Sequence, residues 1–194
     1  MKKIILTLAA IFAIGFVNAQ DKKGSSDSGM AFGVKGGLNI ASVTNQPGTS
    51  SLVGFHIGAF AEFKVSDKFA VQPELLYSTQ GAKATGGKIN TGYINIPVMA
   101  KYYVADAFSL EAGPQIGFLM SAKASIDGLG SADVKDQFKS VDFGLNFGVG
   151  YEFTKKLSAG ARYNLGLSQV QKTLSSGESA SHNSVIQISL GYKF

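Results

Sequence analysis

The feature that most constrains the fold is a two-residue alternation between large apolar side chains and small or polar ones. Over 140–153, Val141, Phe143, Leu145, Phe147, Val149, Tyr151 and Phe153 share one parity, and Asp142, Gly144, Asn146, Gly148, Gly150 and Glu152 the other. Successive side chains of a β-strand point to opposite faces, so this stretch predicts a strand with one wholly apolar face. The pattern recurs over 157–170, where Leu157, Ala159, Ala161, Tyr163, Leu165 and Leu167 oppose Ser158, Gly160, Arg162, Asn164, Gly166 and Ser168. It recurs again over 183–194, where Ile186, Ile188, Leu190, Tyr192 and Phe194 oppose Gln187, Ser189, Gly191 and Lys193.

Extended to the whole chain, the pattern predicts eight strands: 31–42, 52–65, 69–80, 91–104, 107–121, 140–153, 157–170 and 183–194. No segment after residue 30 sustains a 3.6-residue apolar period, so no helix is expected there. Each strand is expected to carry one apolar face and one face of Gly, Ser, Asn, Gln and charge.

Alternation does not say which face is inside. A soluble carrier barrel would turn its bulky apolar residues inward. Here the opposing set is rich in glycine and mixes acids with bases, which suits the narrow interior of an eight-stranded barrel. The apolar set contains no charge in any strand. A Lys or Arg facing lipid near the bilayer midplane costs roughly 2–4 kcal/mol, which accounts for that exclusion. The expected fold is therefore all-β: an eight-stranded antiparallel up-and-down transmembrane barrel, apolar outside and polar within.

The connections agree. Ser66-Asp67-Lys68, Ala105-Asp106 and Thr154-Lys155-Lys156 are short, whereas 43–51, 81–90, 122–139 and 171–182 are longer and polar. Short turns on the periplasmic side and longer extracellular loops are the outer-membrane arrangement. Phe32, Phe63, Phe69, Tyr102, Phe108, Tyr151, Phe153, Tyr192 and Phe194 all fall at periplasmic ends of the outward face, the position of an interfacial aromatic girdle. Pro73, Pro97 and Pro114 interrupt strands of a barrel that has no free edge, so bulges or strand ends are expected to absorb them.

The N-terminus reads as an export signal over 1–19. Lys2 and Lys3 precede an apolar run from Ile4 to Val17, and Val17-Asn18-Ala19 is a small-x-small site for cleavage after Ala19. Residues 20–30 form a polar leader, and 31–194 the barrel. Losing Lys2 and Lys3 lowers the formal charge from +5 to +3, with no basic block of the kind that tracks nucleic acid. There is no cysteine, so folding is expected without disulfides and without thiol chemistry.

Gly33-Val34-Lys35-Gly36-Gly37-Leu38-Asn39, Pro73-Glu74-Leu75-Leu76-Tyr77-Ser78, Tyr93-Ile94-Asn95-Ile96-Pro97-Val98 and Gly191-Tyr192-Lys193-Phe194 resemble the PorT-like outer-membrane barrel proteins of Bacteroidetes. The resemblance spans nearly all of 31–194, and it implies the same fold. It also implies that strand prolines are ordinary in the family, some of whose members serve a secretion and gliding system. Phe194, with Tyr192 and Leu190, is similar to the C-terminal assembly signal by which outer-membrane barrels pair with the insertion machinery.

Face assignment places Lys35, Glu62, Lys64, Glu74, Lys101, Glu111, Asp142, Glu152, Arg162 and Lys193 in the lumen, with Asn39, Gln72, Gln115, Asn146, Asn164 and Gln187. Buried ions demand partners, so a salt-bridged plug is the expected role, and a narrow pore is the alternative. His56 is expected on the inner face near the extracellular mouth, where Asp142, Ser125 or Ser176 would complete a catalytic rim if the chain were an enzyme. His182 falls in a loop, so no two-His metal spacing arises. Gly144-Leu145-Asn146-Phe147-Gly148-Val149-Gly150 is not followed by a helix and makes no nucleotide loop.

The expectation is thus a non-enzymatic barrel without cofactor. Its partners would be membrane lipid, the insertion machinery and an envelope or secretion protein met through a loop such as 122–139.

Overall fold

The computed structural model describes residues 29–173 and 179–194; the export signal, nearly all of the leader, and Ser176 lie outside them. Eight long antiparallel strands close into a ring: β1 (Met30–Val43), β2 (Thr49–Ser66), β3 (Phe69–Ala84), β4 (Gly87–Ala105), β5 (Phe108–Ile126), β7 (Val141–Glu152), β8 (Leu157–Gly166) and β9 (Asn183–Lys193). A short strand, β6 (Gly130–Asp133), folds back on the end of β5. Each barrel strand pairs with its neighbours in the chain, and β9 returns to β1, so every ladder is satisfied and no edge is left open to lipid.

The pairing fixes the tilt. Partner by partner, the ladder runs Met30, Phe63, Val71, Ala100, Ala112, Phe147, Tyr163, Ile186 and back to β1 at Ile40, ten residues from its start. That stagger on eight strands makes a tilted barrel whose interior is only wide enough for side chains.

The expected orientation holds along every strand. Val34, Leu38, Val53, Ile57, Phe143, Phe147, Ile186, Ile188 and Leu190 are exposed, while Asn39, Glu62, Glu74, Asn146, Arg162, Asn164 and Gln187 are buried. Phe63, Tyr102, Tyr151, Phe153, Tyr192 and Phe194 are exposed at the periplasmic rim. Edge-to-face pairs join Tyr151 to Phe153 (5.2 Å) and Tyr192 to Phe194 (6.0 Å).

Four expectations need correction. First, the inner face is not uniformly polar: Phe60, Leu76, Met99 and Leu119 are buried inside β2 to β5. Glycines of β1 and β9 make room for Phe60. A Cβ on Gly33 would lie 2.4 Å from the Phe60 ring, which also passes over Gly191.

Second, the prolines cause no bulges. Register shifts occur between Ser51 and His56, Lys64 and Ser66, Gly92 and Tyr93, and Tyr103 and Ala105, whereas register runs unbroken past Pro73, Pro97 and Pro114. Each proline keeps its partner on the following strand (Val98, Gln115 and Leu145) and lacks one on the preceding strand. The missing N–H therefore always faces backwards along the chain, and the ladder loses a rung without changing step.

Third, two extracellular links are strand. β3 and β4 meet in a tight turn at Thr85-Gly86, where Gly86 takes φ 80°, open to glycine at little cost. Of 122–139, only Asp127–Leu129 forms the tip of a hairpin, followed by a 3-10 turn at Lys135–Gln137. These polar alternating segments read as loops because they stand above the hydrocarbon, where the outer face no longer needs to be apolar. Fourth, β8 stops at Gly166 and not at residue 170, because the N–H groups of Leu167 and Ser168 both turn to the Phe143 carbonyl.

Candidate functional site: the luminal ion network

Each of the eight barrel strands contributes one ionic side chain to the lumen: Lys35, Glu62, Glu74, Lys101, Glu111, Glu152, Arg162 and Lys193, in chain order. Four are basic and four acidic, so the set is neutral. The alternation aims each of them inward, and the stagger of the ladder brings distant strands to one level.

Glu74 is the hub of the upper group, and its side chain is 0% exposed. Arg162 grips it at two points, Nη2 to Oε1 at 2.9 Å and Nη1 to Oε2 at 3.1 Å. Lys35 approaches both carboxylate oxygens at 3.3 Å, and Gln72 donates to Oε1 at 2.8 Å. Arg162 Nη2 also donates to Glu111 at 3.1 Å.

The lower group lies toward the periplasm. Lys193 donates to Glu62 and Glu152, each at 2.7 Å, and Lys101 donates to Glu62 at 2.8 Å. The Tyr103 hydroxyl donates to Glu152 at 2.9 Å. Lys101, 3.8 Å from Glu111, joins the two groups. Dense cross-pairing of this kind is what allows ions to remain charged away from water.

Of the other residues assigned to the lumen, Asn39, Gln72, Gln115, Asn146, Asn164 and Gln187 are buried there in hydrogen bonds, as between Asn146 and Gln115 or Gln187 and Asn39. Lys64 is not: it is exposed at the periplasmic rim, where the strand has left the barrel interior. Asp142 sits near the extracellular end and accepts from Asn183 at 2.9 Å, apart from the eight. Tyr103, Phe60 and Met99 also lie in the lumen; the signal for them was their parity with Lys101 and Glu62, which the expectation of a polar inner face overrode.

His56 does not stand at an open rim. It is 1% exposed, with Nδ1 2.8 Å from Asn39 Oδ1 and Nε2 2.9 Å from Ser189 Oγ. The order Ser189, His56, Asn39 is that of a serine, a base and an orienting amide. The adjoining cavity beside Ser189 is about 30 Å³, room for a water and not for an acyl or peptide substrate. Asp142 and Ser125 are not hydrogen-bonded to His56; Ser125 pairs with Ser131 in the β5–β6 hairpin.

Above this level the lumen is capped by Tyr93, Leu119 and Ala122, against which Val134 and Phe138 pack. The returning segment after β6 thus folds over the barrel mouth. The interior is filled from the periplasmic girdle to the cap.

The sequence signature of the outer membrane protein beta-barrel domain matches residues 18–172. The chain belongs to that family. Among solved structures, the barrel is similar to neisserial surface protein A (NspA), at 19% identity and a TM-score of 0.54, covering 88% of this chain and 100% of that one. Ail, the attachment invasion locus protein of Yersinia pestis, aligns at 16% identity and a TM-score of 0.46 over 85% and 99% of the two chains. OprG of Pseudomonas aeruginosa aligns at 16% and 0.41 over 84% and 95%. No curated protein matches the sequence. As a member of the outer membrane protein beta-barrel domain family with this fold, the chain is an integral protein of the bacterial outer membrane.

Proposed function

We propose that this barrel is a non-enzymatic anchor that holds extracellular hairpins in place for an envelope partner. In this reading it is exported by cleavage after Ala19 and inserted with the help of its C-terminal strand. It belongs to the PorT-like branch of the family, and its partner is a component of a secretion or gliding apparatus. The observation that carries the proposal is the crowded lumen: eight balanced, cross-paired ions stand there with Phe60, Leu76 and Met99 buried among them. A barrel whose middle is plugged offers its ends for recognition.

The extracellular end supports the same reading. Leu129, at the tip of the β5–β6 hairpin, is 83% exposed. Lys83, Lys88, Lys123, Lys135, Lys139 and Lys172 surround Asp127, Asp133 and Asp136, so the described surface there is net basic. A partner with an acidic face would be steered to it.

The test is a photo-crosslinking residue at Leu129 in the native envelope, with Val104 at the periplasmic end as the control. An adduct with one defined envelope protein, formed from Leu129 alone, supports the anchor. Steady unit conductance in planar bilayers would replace it with a pore. Hydrolysis of lipid or peptide that vanishes in His56→Ala would replace it with an enzyme.

A further inference from the structure

A cavity of about 390 Å³ opens at the extracellular mouth, above the cap and remote from the ion network. Its wall is built by the extensions of β3, β4 and β5 beyond the level where lipid faces the barrel. Ala82, Ile89, Ala124 and Ile126 line it, with Val170 and Phe138 opposite. Apolar residues on the inner side of a wall that stands in water gain nothing from the membrane, and Ile89 and Ile126 remain exposed. Nothing in the folding of the barrel requires them there.

The same cavity holds polar atoms without partners among the described residues. Thr91 Oγ1 and Gln171 Oε1 belong to lining residues, and Gln80 Oε1 belongs to the ladder partner of Thr91. Thr91 and Gln80 are more than nine-tenths buried. A buried acceptor left unmatched is costly, and native proteins place a water or a ligand against it. Here the two glutamine oxygens are pure acceptors and the threonine hydroxyl can accept, so the matching group is a donor.

We propose that this cavity binds a small uncharged amphiphile, with an apolar or aromatic body and a hydroxyl or amide N–H directed at Thr91 and Gln171. The volume falls within the range of small-molecule sites, and so does the composition: mostly apolar walls with a few fixed polar atoms. This site goes beyond the anchoring role, and neither depends on the other.

The full mature chain in lipid nanodiscs, with labelled Val and Ile methyls, is titrated with 2-naphthol and, in parallel, with naphthalene. Naphthol is expected to give saturable shifts at Val43, Ile89, Ile126 and Val170. Lipid-facing Ile57, Ile186 and Ile188 should show only the linear drift of partitioning. Gln171→Leu is expected to weaken naphthol roughly three- to tenfold and to leave naphthalene unchanged, the scale of one hydrogen bond. Ala124→Trp, which fills the cavity from its wall, should abolish both responses while the barrel remains heat-modifiable. Naphthol shifts that never saturate, or that are confined to lipid-facing methyls, overturn the proposal. Equal affinity for naphthalene and naphthol also overturns it, since the unpartnered atoms would then play no part.

Discussion

Arg162 of β8 and Glu74 of β3 meet across the full width of the lumen in a two-point contact, at 2.9 and 3.1 Å. Lys35 completes the pair from a third strand. Glu74→Gln removes the anion that two cations share and leaves only Glu111 to neutralise them. Breaking a buried pair from one side costs about 3–5 kcal/mol. We expect that loss in denaturant unfolding of the refolded barrel. Adding Lys35→Met restores the charge balance and should recover more than about 1 kcal/mol. A double variant as unstable as Glu74→Gln alone would mean that the charge count is not what matters.

Ile188 lies mid-strand on β9 and is 57% exposed to the lipid side. Ile188→Arg is expected to cost roughly 2–4 kcal/mol when unfolding is measured in bilayers. Leu157→Arg, at the periplasmic edge of β8, should cost less than about 1 kcal/mol in the same assay. Equal costs at the two positions would contradict the membrane level inferred from the aromatic rim.

Gly37 faces the lumen beside β9: a Cβ there would meet the Ile188 carbonyl oxygen at 1.9 Å. Its neighbour Gly36 points outward, and an added Cβ comes no nearer than 3.4 Å to the His56 oxygen. Gly37→Ala should therefore destabilise the barrel by about 1–3 kcal/mol, the usual scale of overpacking, and Gly36→Ala should be nearly silent. Thermal loss of the heat-modifiable form compares the two directly.

Phe194 ends the chain on the outward parity of β9, and its N–H donates to the Phe32 carbonyl, closing the barrel at its base. Deleting it is expected to lower the amount of barrel in outer membranes several-fold, while refolding from urea into detergent proceeds as before. A parallel fall in refolding would show a loss of stability and not of the assembly signal.

How far the sequence can be read depends on which force dominates each segment. Where lipid lies outside and the lumen inside, as over Val141 to Phe153, the two environments sort the side chains and the strand is legible residue by residue. The same parity found all eight luminal ions, because no charge tolerates the outer face. It also turns Phe60, Leu76 and Met99 inward, each two residues from Glu62, Glu74 or Lys101; what misled was the expectation of a polar inner face, which Phe60 escapes because Gly33 clears space opposite. It could not find the extension of β5 through Ala122 and Ala124, where water bathes the outer face and the alternation loses its contrast. Partner choice was hidden as well. That Glu74 meets Arg162 and not Lys101 follows from the ten-residue stagger around the ring, which no single strand records.

The contribution of one ion by every strand bears on how the molecule is completed. A sheet that has inserted all but its final strand lacks Lys193, so Glu62 and Glu152 share Lys101 and one negative charge goes unmatched against an unsealed seam. The same holds, with one sign or the other, for the loss of any strand. A barrel short of one strand therefore carries an electrostatic defect that ring closure cures. The last strand is thus drawn in by charge as well as by hydrogen bonds, and a product truncated by that strand keeps an unmatched ion in its lumen.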